Sequence, residues 1–544
     1  MAPTVPIFLR QNWSLCAALF LFWGLLAFTI FKAMSLTRGQ LIYPLDDAYI
    51  HLAVAKNLAQ NGSWSLNGTN FCSCSSSLLW TVLISAFYLF LGEHALLAPL
   101  GVNILLGSGF LIFAYYWLKD AYNNHITILV ILVSAIFFTP LPMLAFLGME
   151  HVLHLLIFVV FIALAADLIA NNICTTYHQL LLLLMAPLVT TVRYEGLFVV
   201  FAVCVAFLWR GKVSLGILVG LLALTPLVIY GIISVRYGWS LLPNGVLLKG
   251  THVSLASFTE FMDWAVMRMF SLYSFWKIPG VILMIVSLLV INMWVQRNET
   301  LWHERRSVFL TIYFIALLLH SSLAEYDSFY RYEAYLVAGG IIGVGANLCV
   351  LAANGMCKKP SCDSVLKCVF LILFLVIMGF PFFWRAGAGL MNAPTASKNI
   401  YEQQIQMAKF LRYYYPTKAV AVNDIGAISY FSNIKLIDLR GLASKEMAKA
   451  IISHKVDIET IQKVVDQKKG QIAVVYDKWY RKNGASILPH QWVKVAEWTI
   501  SNNKVCAGDT VSFYSIGKNT EKMLHLDLKK YEKELPSGVA VKYY

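Results

Sequence analysis

The chain has 544 residues, of which 59% are hydrophobic and only 13% are charged, and its mean hydropathy is +0.66. Soluble domains carry roughly a quarter charged residues, so this composition excludes a soluble globular enzyme, a disordered chain and a disulfide-stapled mini-protein. The net charge of +14 is typical of short basic loops that orient membrane spans and contact anionic membrane lipid. No basic run is interleaved with aromatic residues, so nucleic acid is not a predicted partner.

Long apolar runs begin at residue 13 and recur to about residue 386. Each is close to the ~20 residues with which a helix crosses a bilayer, so the chain is predicted to be a polytopic α-helical membrane protein with about eleven to thirteen transmembrane helices. The predicted spans are 13–34, 97–118, 126–147, 151–170, 179–192, 195–209, 213–236, 275–295, 307–324, 334–353 and 366–385. The short apolar run 78–91 is predicted to be re-entrant rather than a full crossing, which favours eleven crossings.

Loop charges predict the sidedness of the chain, because basic loops face the cytoplasm. The basic loops carry Arg210, Lys212, Arg297, Arg305, Arg306, Lys358, Lys359 and Lys367. The outer side then holds loop 35–77, loop 237–274 with an interfacial helix at 254–270, loop 325–333, and everything after residue 387. We therefore divide the chain into a membrane domain, 1–387, and an extracytoplasmic domain, 388–544.

The C-terminal part alternates between helical and strand-like patterns, which predicts a soluble α/β domain. Its predicted helices are 397–414 and 456–468, and its predicted strands are Ala419–Val422, Ile434–Leu439, Ile472–Tyr476, 492–500 and 510–515. No glycine-rich phosphate loop opens any of these helices. A nucleotide is therefore not a predicted ligand.

Paired carboxylates stand at the start of an amphipathic helix in the first outer loop. Asp46 and Asp47 follow Pro44, and His51 lies one helical turn after Asp47, on the same face. One Asp is sufficient to cap a helix, so a second carboxylate is available as a general base. We expect Asp46 to be the base and Asp47 to fix the start of the helix.

Charged residues beside apolar spans are costly, so they need partners or a function. Arg193 and Glu195 form either an ion pair at a span corner or part of a site, and Glu150 either snorkels to the interface or takes part in binding. Lys249 and Arg331 either neutralise a phosphate or are exposed loop cations. Tyr332 and its neighbouring tyrosines either stack on a sugar or form an interfacial aromatic belt.

Several short motifs together resemble a known family. Its outer-loop signature is matched by Pro44-Leu45-Asp46-Asp47-Ala48-Tyr49-Ile50-His51. Further matches are Gly148-Met149-Glu150, Arg193-Tyr194-Glu195-Gly196, Leu242-Pro243-Asn244 with Lys249, and Asn423-Asp424-Ile425-Gly426-Ala427-Ile428. These resemble a bacterial membrane glycosyltransferase family with the Asp-Asp-Ala-Tyr-Ile signature, which has the C-type (GT-C) fold and includes arabinofuranosyltransferases and mannosyltransferases. The chain departs from it at Tyr194, where Pro is usual, and at Cys72–Leu78, where a Ser-Ser-Pro-Leu-like run is usual.

The resemblance implies an enzyme at the outer face of a bacterial inner membrane that moves a sugar, possibly arabinofuranose, from a polyprenyl-phosphate donor to a glycan or protein acceptor with inversion. Asp46 and Asp47 would be catalytic. The donor phosphate and sugar would contact His51, Glu150, Arg193, Glu195, Asn244, Lys249, Arg331 and Tyr332. The scheme requires no cofactor or metal ligands, although the sequence does not exclude a divalent metal. The alternative is a transporter or flippase of a lipid-linked sugar, which would place its key charges at mid-membrane.

Overall fold

The computed structural model describes residues 11–68, 70–170, 176–248, 278–295, 302–326, 329–353, 365–482, 484–517 and 520–544. Most of the chain before residue 401 is helical. In chain order the helices are α1 (Trp13–Leu36), α2 (Asp46–Asn61), α3 (Leu78–Leu91), α4 (Ala98–Ala121), α5 (His125–Phe138), α6 (Leu141–Phe146), α7 (His151–Ile169), α8 (Thr176–Val192), α9 (Gly196–Trp209), α10 (Val213–Arg236), α11 (Asn244–Leu247), α12 (Ile278–Val295), α13 (Arg305–Leu323), α14 (Ala334–Ala353) and α15 (Val365–Ile400).

Six apolar stretches among the described residues are long enough to cross a membrane: Trp13–Leu36, Leu78–Ala121, His151–Ile169, Val213–Arg236, Arg305–Leu323 and Ala334–Leu351. Shorter apolar helices lie at His125–Phe138, Thr176–Val192, Gly196–Trp209 and Pro279–Met293. The expected multi-pass helical architecture is confirmed. The count of eleven to thirteen crossings stays a prediction, and the interfacial helix at 254–270 lies outside the described residues.

The short helix α3 lies along one end of the helical part. Near its start, Thr81 Oγ1 is 3.2 Å from His51 Nδ1 in α2. Near its end, the Tyr88 hydroxyl donates to the Tyr430 hydroxyl of the C-terminal part at 2.7 Å. Helix α3 therefore contacts both α2 and the C-terminal part, and whether this run crosses the membrane stays a prediction.

The opposite end of the helical part carries a cluster of basic and acidic residues. Arg305 and Arg306, at the start of α13, both contact the Asp120 carboxylate, and Arg305 Nη1 is 3.3 Å from Asp167 Oδ1. Asp120 and Asp167 lie near the ends of α4 and α7. These helix ends meet at the side that the positive-inside rule assigns to the cytoplasm.

The C-terminal part, residues 388–544, is here called the tail. It is joined to the membrane part by a continuous helix. Helix α15 runs through the predicted domain boundary at residue 387, with Pro381 and Pro394 inside it, and a π-helical turn at Tyr401–Ile405 leads into α16 (Gln406–Tyr414). The change in composition at residue 388 therefore falls inside one long helix, and the domain division stays a proposal.

The tail is built on a six-stranded mixed sheet. Its strands are β1 (Ala419–Val422), β2 (Lys435–Asp438), β3 (Ile472–Val475), β6 (Val493–Ile500), β7 (Thr510–Ser515) and β8 (Val539–Tyr543), with a separate hairpin of β4 (Arg481–Lys482) and β5 (Ala485–Ser486). The strand order in the sheet is β2-β1-β3-β7-β6-β8. Strand β1 pairs in parallel with β2 and β3, and the remaining pairs are antiparallel. The other tail helices are α17 (Gly426–Phe431), α18 (Lys445–Ile452), α19 (Ile458–Gln467) and α20 (Glu521–Tyr531).

Alternating side chains of the parallel strands pack into two separate apolar layers. Ala419 and Ala421 of β1 join one cluster with residues of α18 and α19. Val420 and Val422 join the other, with residues of α16, α17 and α20. Side chains alternate between the faces of a strand, so helices cover both faces of this sheet. The predicted C-terminal α/β domain is confirmed, and five of its strands begin within one residue of the predicted positions.

Candidate active site

Two adjoining cavities lie where the outer segments of the membrane part meet the tail. The first, here called the tail cavity, has a volume of about 580 Å³, and its wall includes Asp46, Gln404, Asp424, Arg440, Trp479 and Lys504. The second, called the span cavity, has a volume of about 370 Å³, and its wall includes Arg193, Glu195, Phe198, Leu242, Val246 and Tyr332. Asp47 and Arg331 line both cavities. This pair therefore stands at the junction between them.

Asp46 caps a helix of the tail rather than serving as a free carboxylate. Its Oδ2 accepts from the backbone N–H of Gly426 at 2.7 Å, and its Oδ1 accepts from that of Ala427 at 2.8 Å. These are the first two residues of α17, where helix N–H groups lack partners within the helix. The expectation that Asp47 caps α2 is wrong, because the cap position of α2 is Leu45, whose side chain makes no cap hydrogen bond, and Asp47 lies inside the first turn.

Burial changes the proton affinity of the carboxyl groups in the tail cavity. Desolvation, reinforced by the nearby charge of Asp424, raises the pKa of Asp46 to about 8. Burial also raises the pKa of Asp424, although Oδ2 of Asp424 accepts from Gln404 Nε2 at 2.7 Å and from the Tyr476 hydroxyl at 2.8 Å. Both carboxyl oxygens of Asp46 already accept backbone N–H groups of α17. Asp46 is therefore poorly placed to accept a proton from a substrate.

Asp47 instead forms an ion pair at the junction of the two cavities. Its Oδ2 is 2.7 Å from Arg331 Nη2, and the Asp47 side chain keeps 31% of its surface exposed whereas Arg331 keeps 5%. The second terminal nitrogen of the Arg331 guanidinium, Nη1, lies 2.9 Å from Met149 Sδ. A buried cation in this position can pair with an anion from either cavity.

Arg193 is held in the span cavity by two carboxylates. Its Nη1 is 2.7 Å from Glu150 Oε1 and its Nη2 is 2.6 Å from Glu195 Oε1. The predicted Arg193–Glu195 ion pair is therefore present. Glu150 is fully buried, so snorkelling of Glu150 to the interface is wrong. The guanidinium groups of Arg193 and Arg331 lie 5.2 and 5.1 Å from the centre of the Tyr332 ring, so this ring is flanked by both cations.

His51 and Asn244, two of the expected site residues, are not in the walls of these cavities. His51 is buried, and its Nδ1 lies 3.2 Å from the Ser75 hydroxyl. The other ring nitrogen of His51, Nε2, lies 3.6 Å from Glu150 Oε2. The side-chain amide of Asn244 donates to the Gly441 carbonyl of the tail at 2.7 Å, so this residue ties an outer loop to the tail. Lys249 lies outside the described residues.

The backbone before Arg331 adopts a conformation that is costly for residues other than glycine. Phe329 and Tyr330 have φ angles of 64° and 62°. Two consecutive left-handed residues persist only where their surroundings hold them, and Arg385 supplies contacts of this kind, because its guanidinium contacts the Tyr330 carbonyl and the Glu333 carboxylate. Tyr330 and Tyr335 are buried, so these two do not contribute to an exposed aromatic belt.

The tail contributes residues that follow its parallel strands. Asn423 and Asp424 follow β1, Arg440 is the second residue after β2, and Trp479 lies in the 3₁₀ turn after β3. Ligands of open α/β sheets bind outside the carboxyl ends of parallel strands. Sequence reasoning did not single out Arg440 or Trp479, although their positions just after predicted strands were a usable signal.

Within the described ranges, no group of three or more His, Cys, Asp or Glu side chains is arranged to hold a metal ion. Each carboxylate of the tail cavity has other partners: Asp46 accepts from backbone amides, Asp47 pairs with an arginine, and Asp424 accepts from a glutamine and a tyrosine. The residues present can therefore bind anions and exchange protons.

Comparison with known proteins adds little beyond this geometry. Residues 398–514 match a family model described as a domain of unknown function (DUF8728), which covers much of the tail. No curated protein sequence matches the chain. The chain is similar to the crystal structure of the Archaeoglobus fulgidus oligosaccharyltransferase in complex with Zn and sulfate, with 10% sequence identity, a TM-score of 0.45, and coverage of 95% of this chain and 74% of that one.

Proposed function

We propose that the protein is a GT-C-like membrane glycosyltransferase that transfers a sugar from a polyprenyl-phosphate donor to an acceptor at the outer face of a bacterial inner membrane. The observation that carries this proposal is the Asp47–Arg331 ion pair, which lies in the walls of both cavities. A transferase needs two substrates to meet at one proton acceptor and one leaving-group cation. A carboxylate and a guanidinium at the junction of two cavities supply both groups.

The span cavity has the properties of a donor site. Apolar side chains such as Phe198, Leu242 and Leu323 line it, as a polyprenyl chain requires. Arg193 and Arg331 provide two cations at its inner wall, and a phosphate is a preferred partner of the guanidinium group. A lipid phosphate seated between these arginines would place its sugar beside Asp47.

The proposed reaction is a direct displacement. The acceptor hydroxyl oxygen attacks the anomeric carbon, the bond from that carbon to the phosphate oxygen breaks, and Asp47 takes the hydroxyl proton. The electron pair of the broken bond stays with the polyprenyl phosphate, whose charge Arg331 and Arg193 neutralise. Attack opposite the leaving group inverts the anomeric carbon.

Donor binding would also prepare the base. In the free protein Arg331 is paired with Asp47 at 2.7 Å. A phosphate that takes over contacts to Arg331 would weaken this pair and leave the Asp47 carboxylate available to accept a proton. The roles of the two aspartates are then the reverse of the sequence-based expectation: Asp47 is the base, and Asp46 holds α17.

The other expected residues take supporting roles in this proposal. Glu150 and Glu195 fix the guanidinium of Arg193, His51 packs against Glu150, and Asn244 joins the second outer loop to the tail. Tyr332 and Lys249 stay candidate donor contacts. The sugar, for which arabinofuranose is the first candidate, and the glycan or protein acceptor are identified by the test below.

The test is a panel of radiolabelled polyprenyl-phosphate sugars offered to the purified protein in lipid vesicles. We expect at least one donor to be converted to free polyprenyl phosphate when a mixture of cell-envelope glycans and proteins is present. Movement of intact donor between the leaflets without cleavage would instead favour the transporter or flippase. Arg331→Gln should abolish conversion, whereas Arg236→Gln, which removes an exposed cation at the end of α10, should not.

A further inference from the structure

We propose that the tail cavity binds an acidic carbohydrate, one that carries a carboxylate or a phosphate group, through Arg440 and Lys504 at the carboxyl edge of the tail sheet. This inference rests on the proposed function, because it names the class of acceptor for the same site. Nothing in the motifs of the membrane part points to it. It follows from the charges and contacts of the tail.

Arg440 is positioned as a fixed cation. Its guanidinium lies 4.2 Å from the centre of the Trp479 ring, a distance at which cation–π attraction holds an arginine in place. Both residues line the tail cavity and come from segments that follow β2 and β3, the two strands on either side of β1. A guanidinium ordered in advance loses less conformational freedom when it binds an anion.

No described carboxylate forms an ion pair with Arg440 or Lys504. The nearest acid in sequence to Arg440, Asp438, is occupied by backbone groups, since it accepts from the N–H of Arg440 at 2.7 Å and from that of Ala443 at 2.6 Å. Lys504 stands on the loop between β6 and β7 and lines the same cavity. Both cations are therefore available to an incoming anion.

The three aspartates of the cavity do not cancel these cations. Asp47 is paired with Arg331, Asp46 accepts from two backbone N–H groups of α17, and Asp424 accepts from Gln404 and Tyr476. The cavity thus presents a positive wall at the sheet edge. The side-chain amides of Asn392 and Asn423 lie in the same wall, and amides of this kind are suited to sugar hydroxyl groups.

The experiment measures binding, and it does not depend on turnover. The full chain in lipid nanodiscs is titrated calorimetrically with tetragalacturonate, with glucose 6-phosphate and with the neutral maltotetraose. We expect at least one acidic probe to bind at least about 10-fold more tightly than maltotetraose, which corresponds to one charge-assisted contact. Tetragalacturonate and glucose 6-phosphate distinguish a carboxylate from a phosphate as the preferred group.

Variants locate the contact. Arg440→Gln should raise the Kd of the preferred acidic probe by about 10-fold or more. Arg440→Lys should retain part of the affinity for this probe, and Lys504→Gln should also raise its Kd. The matched control is Lys435→Gln, which removes an exposed lysine from the opposite end of the strand that leads to Arg440.

Three outcomes would overturn the inference: equal affinity for acidic and neutral probes, no binding of either acidic probe, or unchanged affinity in Arg440→Gln. Its failure is separable from that of the proposed function. Donor cleavage without any preference for acidic probes would remove the inference and leave the transferase. Acidic binding without cleavage of any donor would remove the transferase and leave a carbohydrate-binding cavity.

Discussion

Arg331 has two roles in the proposed mechanism, because it binds the donor phosphate and, before the donor binds, forms an ion pair with Asp47. Arg331→Gln should raise the Kd of the donor by about 10–150-fold, which is the loss of ~1.5–3 kcal/mol expected for a charge-assisted contact. The measurement is donor binding by equilibrium titration, with Arg236→Gln as the control on the same side of the membrane. An unchanged donor Kd with weaker acceptor binding would assign Arg331 to the tail cavity instead.

Asp46 gives a prediction about pH, because its carboxyl pKa is raised from 3.8 to about 8. Between these two values the folded protein binds more protons at this group than the unfolded chain, so stability is lost as the pH rises through the folded pKa. We expect the Tm of the protein to fall by a few degrees from pH 6 to pH 9.

The variant Asp46→Asn isolates this contribution. Asn does not titrate, and its side-chain oxygen still accepts one of the two helix N–H bonds. The slope of Tm against pH should therefore be smaller in this variant, with a residual slope from Asp424, whose pKa is also raised. A slope identical to that of the unmodified protein would contradict the account of Asp46.

The sequence indicated which residue types form the site but not their individual roles. Asp46, Asp47, Arg193 and Arg331 were found from paired carboxylates and from charges beside apolar runs. The division of roles between the aspartates depends on α17, a helix from about 380 residues farther along the chain, and no local spacing reveals such a partner. The same holds for Glu150, whose arginine lies 43 residues away.

At the scale of elements, the contact between α2 and α17 is the joint between the membrane part and the tail. Gly426 permits it, because an added Cβ there would collide with the backbone oxygen and the carboxyl group of Asp46. Gly426→Ala should therefore displace α17 and reduce transfer by about 10-fold or more, as misplacement of catalytic parts by ~1 Å does in other enzymes.

Gly387→Ala is the matched control for this prediction. An added Cβ at Gly387 meets no atom within 4 Å, and alanine favours a helix over glycine. The two variants should differ both in donor cleavage and in the rate at which a protease removes the tail. Equal rates of cleavage and proteolysis would contradict the role given to the joint.

Elements with a strong local pattern were predicted well, and weakly patterned ones were missed. Most apolar runs gave the bounds of their helices to within a few residues, and β-rich runs gave β1, β2, β3, β6 and β7. Two predicted spans were wrong in extent: the run 126–147 forms two helices, α5 and α6, and α15 continues to Ile400 instead of ending at residue 385. The helices α18 and α20 and the edge strand β8 were missed. Strand β8 has alternating half-buried and exposed residues, so its position depends on pairing with β6 rather than on its own composition.

At the scale of the whole molecule, the orientation rests on where charges gather. The outer loops and the tail meet around Asp47, whereas Arg305 and Arg306 meet Asp120 and Asp167 at the other end. In a variant that lacks the native cysteines, a cysteine at position 435 should react with an impermeant thiol reagent in intact cells, and one at position 210 should not. The reverse pattern would overturn the assigned orientation.

The most direct measurement compares donor binding and donor cleavage in the same samples of the unmodified protein and of Asp47→Asn. Removing the Asp47 charge removes a competitor of the donor phosphate for Arg331, so we expect the variant to bind the polyprenyl-phosphate donor at least as tightly as the unmodified protein. Loss of the general base should slow cleavage by about 10²–10⁴-fold. Asp47→Asn protein that binds the donor normally and still cleaves it at the full rate would contradict the assignment of Asp47 as the base.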